Sequence, residues 1–117
     1  MTQEDYCSYE VAKLLKEKGF DVYTPTRYDY DGGFHSHGDY LIGNGDISAP
    51  THQMAMKWLR DTYSISIEPY CYEYGWSCGF SQFPIGITIY TSQESKEYGT
   101  YEEAVEAALK YVLEKLI

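Results

Sequence analysis

Apolar residues recur at the helical period in three segments, which predict three helices. The first covers residues 8–18, where Ser8 suits the N-cap position and one stripe is apolar: Val11, Leu14 and Leu15. Gly19 follows as a residue type that commonly ends helices in the left-handed backbone conformation. Residues 20–24 then combine β-branched and aromatic side chains, which predicts a short strand.

The second and third helices are predicted over residues 51–63 and 101–116. Pro50 fits the first helical position of the second helix, where a missing N–H does no harm. The apolar face of this helix contains Met54, Ala55, Trp58, Leu59 and Thr62. The third helix follows a capping box, with Thr100 as the N-cap and Glu103 as the third helical residue. Its apolar positions then keep the helical period to the end of the segment.

Alternating apolar and polar residues predict an antiparallel hairpin in the second half of the chain. Isoleucines alternate with polar residues in residues 64–74 and again in residues 83–91, so one face of the hairpin is apolar. Pro69 indicates that the first of these strands lies at a sheet edge or contains a bulge. Residues 75–82 include two glycines and are interpreted as the connecting loop.

Residues 25–49 predict a second, looser hairpin followed by a loop. Arg27-Tyr-Asp-Tyr30 alternates, Asp31-Gly32-Gly33 is typical of a tight turn, and Tyr40-Leu41-Ile42 is predicted to return as a strand. The element order is therefore α-β-(β-β)-α-β-β-α. Single apolar stripes on the helices and antiparallel hairpins predict a two-layer α+β fold, with the helices on one face of the sheet. A chain of 117 residues fits one domain spanning residues 1–117.

Charge and cysteine content exclude several classes of protein. The formal net charge is −9, with 18 acidic against 9 basic residues and no basic run, which disfavours binding to nucleic acid or to an anionic membrane. The three cysteines form no CxxC pair, and neither an apolar leader nor a membrane-length apolar run is present. These features predict a cytoplasmic protein with reduced thiols. The acidity itself indicates either simple solubility or a surface for a basic partner.

A row of tyrosines is the main candidate for a binding surface. The chain has 14 tyrosines, and several alternate on the face opposite the isoleucines, beside two acids: Tyr70, Tyr72, Tyr74, Tyr90, Glu68 and Glu73. An exposed aromatic sheet face suits protein contact or self-association. Two alternatives remain open: an ordinary solvated sheet face rich in β-forming residues, or a change of register at Pro69 that buries the tyrosines.

A cluster of histidine and carboxylate suggests a metal site as a competing interpretation. His35, His37 and Asp39 have the ligand chemistry of zinc and other transition metals. A polar turn with two solvated histidines explains the same residues, because no further ligand has a diagnostic spacing. The glycine clusters match neither a phosphate-binding loop nor a dinucleotide fingerprint. We therefore expect no cofactor.

The helical segments resemble a family of short uncharacterised proteins of gut anaerobic bacteria and their phages. Ser48-Ala-Pro-Thr51 followed by Met54-Ala-Met-Lys-Trp-Leu-Arg60 carries the likeness, together with the segment from Ala12 to Asp21 and the Tyr101-Glu-Glu-Ala104 start of the last helix. The family has no assigned activity, so the resemblance implies only an origin in a phage or mobile element and transfers no functional residue.

These observations favour a small non-enzymatic protein-interaction module, accessory to a phage or mobile element. Its expected partner is another protein or a second copy of the chain, which would form a homodimer through the sheet. The alternative is a metal-binding protein or a metal-dependent enzyme that uses His35, His37 and Asp39.

Overall fold

The described part of the chain contains three α-helices, six strands and a short 3₁₀ helix at Gln3–Asp5. A computed structural model describes residues 3–36, 45–72, 75–82, 87–89 and 98–117. The helices are α1 (Tyr9–Glu17), α2 (His52–Tyr63) and α3 (Tyr101–Tyr111), and α3 continues into a π-helical turn at Val112–Leu116. The strands are β1 (Arg27–Tyr28), β2 (Phe34–His35), β3 (Ile47–Ser48), β4 (Ile65–Tyr72), β5 (Gly75–Gln82) and β6 (Ile87–Ile89).

Each helix begins at a hydroxyl side chain that caps its first turn. The Oγ of Ser8 accepts a hydrogen bond from a backbone N–H at 3.2 Å, Oγ1 of Thr51 accepts one at 3.2 Å, and Oγ1 of Thr100 accepts one at 3.1 Å. These bonds satisfy N–H groups that have no partner inside the helix. The caps at Ser8 and Thr100 confirm the predictions. The prediction for Pro50 was wrong by two positions, because Thr51 takes the N-cap and Pro50 precedes it.

The larger sheet has the order β4-β5-β6, and all of its pairs are antiparallel. The prediction of a loop over residues 75–82 was wrong, because this segment is the central strand β5. Its apolar side chains alternate as Trp76, Cys78 and Phe80, but the other face carries only glycine and serine, which resemble loop composition. The predicted pairing of residues 64–74 with residues 83–91 was also wrong, because β5 lies between the two strands. Residues 83–91 supply β6, which pairs with β5; residues 83–86 and 90–91 lie outside the described residues.

Pro69 lies in β4, which is at an edge of the described sheet, as its sequence predicted. The pairing of β4 with β5 runs without a shift from Ile65 opposite Gln82 to Tyr72 opposite Gly75. A proline is tolerated here because an edge strand does not need every N–H for pairing. Because the register does not change at Pro69, Ile65 and Ile67 lie on the buried face of the sheet.

The smaller sheet corrects two predictions in the first half of the chain. Its order is β2-β1-β3, and Tyr28 pairs with both Phe34 and Ile47. The hairpin around Asp31-Gly32-Gly33 exists, but its return strand is Phe34–His35; residues 40–42 lie outside the described residues. Residues 20–24 form no strand, because the side chains of Val22 and Tyr23 are 41% and 66% exposed and no described strand lies beside them.

Helices α2 and α3 pack on one face of the larger sheet, and α1 packs against α3 and β3, so the chain has the predicted two-layer α+β fold. The main core joins the helices to that face through fully buried side chains: Leu15, Leu59, Phe80, Leu109 and Leu113. The buried stripe of α2 is His52, Ala55, Met56 and Leu59, whereas the predicted member Thr62 is exposed. No helix among the described ranges is long and apolar enough to cross a membrane.

Candidate binding cavity at the helix N-termini

The predicted tyrosine surface is described only in part. Tyr70 is 40% exposed, and the uninterrupted ladder through Pro69 places it on the face opposite the buried isoleucines. Glu68 lies on the same face, and one of its carboxylate oxygens accepts a hydrogen bond from the Ser81 hydroxyl at 2.6 Å. Tyr72 is the last residue of β4. The remaining members of this predicted surface lie outside the described residues: Glu73, Tyr74 and Tyr90.

The predicted metal ligands are also only partly described. Nε2 of His35 lies 2.8 Å from a carboxylate oxygen of Asp29, whose other oxygen accepts backbone N–H bonds from Asp31 and Gly33. The hydrogen bond from His35, followed by the one from Gly33, lowers the pKa of Asp29. His37 and Asp39 lie outside the described residues. Within the described ranges no three potential ligands come together, so the metal site stays a prediction.

No disulfide joins the three cysteines, which all lie within the described ranges, and Cys7 and Cys78 are buried. Burial raises the pKa of the Cys7 thiol well above its usual range, and the negative charge of Glu106 raises it further. Burial likewise raises the pKa of Cys78 to about 12. Because the thiolate is the reactive form, neither buried cysteine is suited to act as a nucleophile.

Alkylation of the folded protein with iodoacetamide at about pH 8 is therefore expected to modify Cys71 alone. Cys71 is exposed, whereas Cys7 and Cys78 are buried with raised pKa values. Intact-protein mass spectrometry should show one adduct per chain, and three after unfolding in guanidinium. Rapid modification of two or three thiols in the folded protein would contradict this arrangement.

The N-termini of all three helices meet at a cavity of about 640 Å³. Backbone pairing between Tyr6 and Thr51, together with a hydrogen bond from the Cys7 N–H to the Pro50 carbonyl at 2.9 Å, sets the starts of α1 and α2 side by side. The start of α3 completes the rim. The cavity is lined by Gln3, Glu4, Tyr6, Ser8, Tyr28, His52, Thr100, Glu102, Glu103 and Glu106.

Glu106 connects the three helices beside this cavity. Its Oε1 accepts a hydrogen bond from the backbone N–H of Ser8 at 3.0 Å, and its Oε2 accepts one from Nε2 of His52 at 2.6 Å. His52 is 4% exposed, so its ring is a buried polar group that requires a partner. One carboxylate thus holds the first residue of α2 and the N-cap of α1 against α3.

Two tyrosines give the cavity an aromatic wall. Tyr6 and Tyr28 both line it, and the ring of Phe34 packs behind them with centroid distances of 5.2 Å and 5.4 Å. The hydroxyl of Tyr28 donates a 2.6 Å hydrogen bond to the Cys7 carbonyl. Burial, with smaller contributions from the charges of Cys7 and Glu106, raises the pKa of Tyr28 to about 12. Tyr28 therefore stays neutral and remains a hydrogen-bond donor near neutral pH.

The carboxylates decide the electrostatic character of the cavity. A helix N-terminus carries roughly half a positive charge. The three helix N-termini together therefore offset less than half of the negative charge of the four glutamates that line the cavity. A protonated His52 would not reverse the sign. The cavity is thus suited to a cation. Glu102 and Glu103 also stabilise the start of α3, where acidic side chains are favoured.

Among the predicted site residues that the structure describes, none lines this cavity. His52 could be noticed in the sequence only as a histidine at a helix start, and Glu102 and Glu103 were accounted for by the capping box. The partners of Glu106 lie 54 and 98 positions away in the chain, at separations that local patterns do not predict. Comparison of the chain with protein-family models, curated proteins and solved structures found no match.

Proposed function

We propose that this protein is a small non-enzymatic interaction module that binds a basic protein partner, and that the cavity at the helix N-termini receives a cationic side chain of that partner. The observation that carries the proposal is the presence of four glutamates in one cavity that is also walled by tyrosines. The net charge of −9 supports it, because a negative field attracts a basic partner from a distance.

The shape and chemistry of the cavity favour an arginine side chain. Cavities of roughly 300–1,000 Å³ are typical of ligand sites, and about 640 Å³ admits a guanidinium together with part of the neighbouring chain. A guanidinium can donate to two carboxylate oxygens at once and can also stack on an aromatic ring. Glu102 and Glu103 provide the carboxylates, and Tyr6 provides the ring.

An NMR titration with the peptide acetyl-Gly-Arg-Gly-amide tests the proposal. We expect amide shifts of residues around Thr100 and Ser8, and no saturable shifts with the matched citrulline peptide, which has the same shape without the charge. Replacing both Glu102 and Glu103 by Gln should weaken arginine binding roughly tenfold, since each ion pair at a partly solvated site contributes up to about 1 kcal/mol. The cap hydrogen bond to Oγ1 of Thr100 comes from the backbone N–H of residue 103, so this substitution leaves it in place.

The control removes the same charge from a distant part of the surface. Glu17 and Asp61 are exposed and do not line the cavity, so the Glu17→Gln/Asp61→Asn variant should bind the arginine peptide as the parent protein does. Equal weakening in both double variants would mean that only net charge matters. Equal affinity for the arginine and citrulline peptides would contradict the proposal.

The tyrosine surface remains a predicted second contact region. Tyr70 and Glu68 are exposed on the sheet face away from the helices, where a partner or a second copy of the chain could extend the interface. The resemblance to phage-associated chains supports an accessory role in a phage or mobile element. This part of the proposal concerns the biological setting and does not depend on the cavity.

A further inference from the structure

His52 places a ring nitrogen without a partner at the wall of the cavity. Its Nε2 donates a 2.6 Å hydrogen bond to Glu106, and the residue is only 4% exposed. No described residue bonds the other nitrogen, Nδ1. Among the described side chains, the polar atom that is sealed from solvent without a partner is Oγ of Ser77. Nδ1 of His52 therefore reaches solvent, and the solvent beside this residue is that of the cavity it lines.

Glu106 determines which form of the His52 ring faces the cavity. The Ser8 N–H donates to Oε1 of Glu106 at 3.0 Å and so orients the carboxylate, which in its ionised form can only accept hydrogen bonds. The hydrogen of the neutral imidazole is thus held at Nε2, and Nδ1 keeps its lone pair as an acceptor. Buried polar groups are normally hydrogen-bonded. This acceptor is an observation separate from the four glutamates, and it points to a ligand that donates a hydrogen bond.

We infer that Nδ1 of His52 accepts a hydrogen bond from the bound cationic side chain, so that the site binds its partner when His52 is neutral and releases it when His52 is protonated. This inference rests on the proposed function and adds to it a binding residue and regulation by pH. Protonation acts in two ways, because it turns Nδ1 into a donor and adds a positive charge beside the ligand. Affinity is therefore present above the titration of the histidine and is lost as the pH falls through it.

Histidine is the residue type around this cavity that ordinarily titrates between pH 5 and 8. The other titratable groups around the ring come from α3, from the segment before α1 and from β1: Glu102, Glu103, Glu106, Glu4, Tyr6, Cys7 and Tyr28. Burial holds the pKa values of Cys7 and Tyr28 far above this range. Carboxyl groups ordinarily titrate below it. A change of affinity within the range therefore reports on His52.

NMR titrations of the full chain with acetyl-Gly-Arg-Gly-amide at about pH 8 and about pH 5.5 test the inference. We expect roughly tenfold weaker binding at the lower pH, from the loss of one hydrogen bond and the gain of one repulsive charge. Binding and deprotonation should also favour each other. Adding the peptide at about pH 6 should therefore move the imidazole nitrogen signals of His52 towards those of the neutral ring with its hydrogen at Nε2.

Two glutamine variants assign the pH dependence to one histidine. His52→Gln keeps an N–H donor for Glu106 but removes the titrating ring, so its affinity for the arginine peptide should be nearly equal at the two pH values. His35→Gln removes a histidine that does not line the cavity and should keep the pH dependence of the parent protein.

The outcomes separate this inference from the proposed function. If the parent protein prefers arginine to citrulline at the higher pH but loses no affinity at the lower one, the inference fails and the arginine site still stands. An equal loss in His52→Gln would contradict it in the same way. Imidazole signals that the peptide leaves unmoved would also contradict it, and this measurement needs no variant. If arginine and citrulline bind alike, the proposed function fails, and the inference fails with it.

Discussion

Replacing Phe80 by alanine is expected to lower the free energy of unfolding by about 3–5 kcal/mol. Phe80 lies on the central strand β5, is fully buried in the main core, and packs on Tyr111 with ring centroids 5.8 Å apart. Its removal takes away apolar burial and leaves a cavity between the sheet and α3 that neighbouring side chains can fill only partly. Urea denaturation followed by far-UV circular dichroism measures the loss.

Gln82→Ala is the matched control for this prediction. Gln82 is exposed at the end of the same strand, so its replacement should change the unfolding free energy by no more than about 0.5 kcal/mol. The comparison bears directly on the architecture, because a loop over residues 75–82 would make Phe80 nearly as replaceable as Gln82. A loss below about 1 kcal/mol for Phe80→Ala would contradict the central position of β5.

The contrast between helices and strands shows what the sequence could predict. The caps at Ser8 and Thr100 were predictable because a hydroxyl side chain bonds an N–H three residues ahead, and this interaction is local. The strand β5 was missed because its outer face consists of glycine and serine, residue types that also predominate in loops. Alternation of Trp76, Cys78 and Phe80 was the available signal, and the small residues between them obscured it.

The candidate cavity was less predictable than the fold for a related reason. Its acidic residues are visible in the sequence, but the local role of Glu102 and Glu103 at the start of α3 explains those two without a cavity. Their grouping with Ser8 and His52 depends on the pairing of Tyr6 with Thr51 and on the packing of α3 beside both. Such contacts join distant positions, so the cavity becomes recognisable only once the three helix starts are seen together.

Glu106→Ala is expected to destabilise the protein by about 2–4 kcal/mol, the second large effect. The substitution leaves the backbone N–H of Ser8 and the ring of His52 without their acceptor, and His52 is almost completely buried. A buried donor without a partner costs roughly 1–3 kcal/mol, although water entering the cavity should recover part of that for Ser8. Urea denaturation of the variant measures the change.

Two further variants distinguish a hydrogen-bonding role of Glu106 from simple packing. Glu106→Gln keeps the shape of the side chain, but its amide offers one acceptor oxygen for the two donors from Ser8 and His52, so we expect a loss between those of the parent and Glu106→Ala. Glu114→Ala removes an exposed glutamate from the end of the same helical segment and should change stability by no more than about 0.5 kcal/mol. Equal losses for the Gln and Ala variants would favour a role of the negative charge itself. A Glu106→Ala loss no larger than that of Glu114→Ala would mean that the three helix starts are held together without this carboxylate.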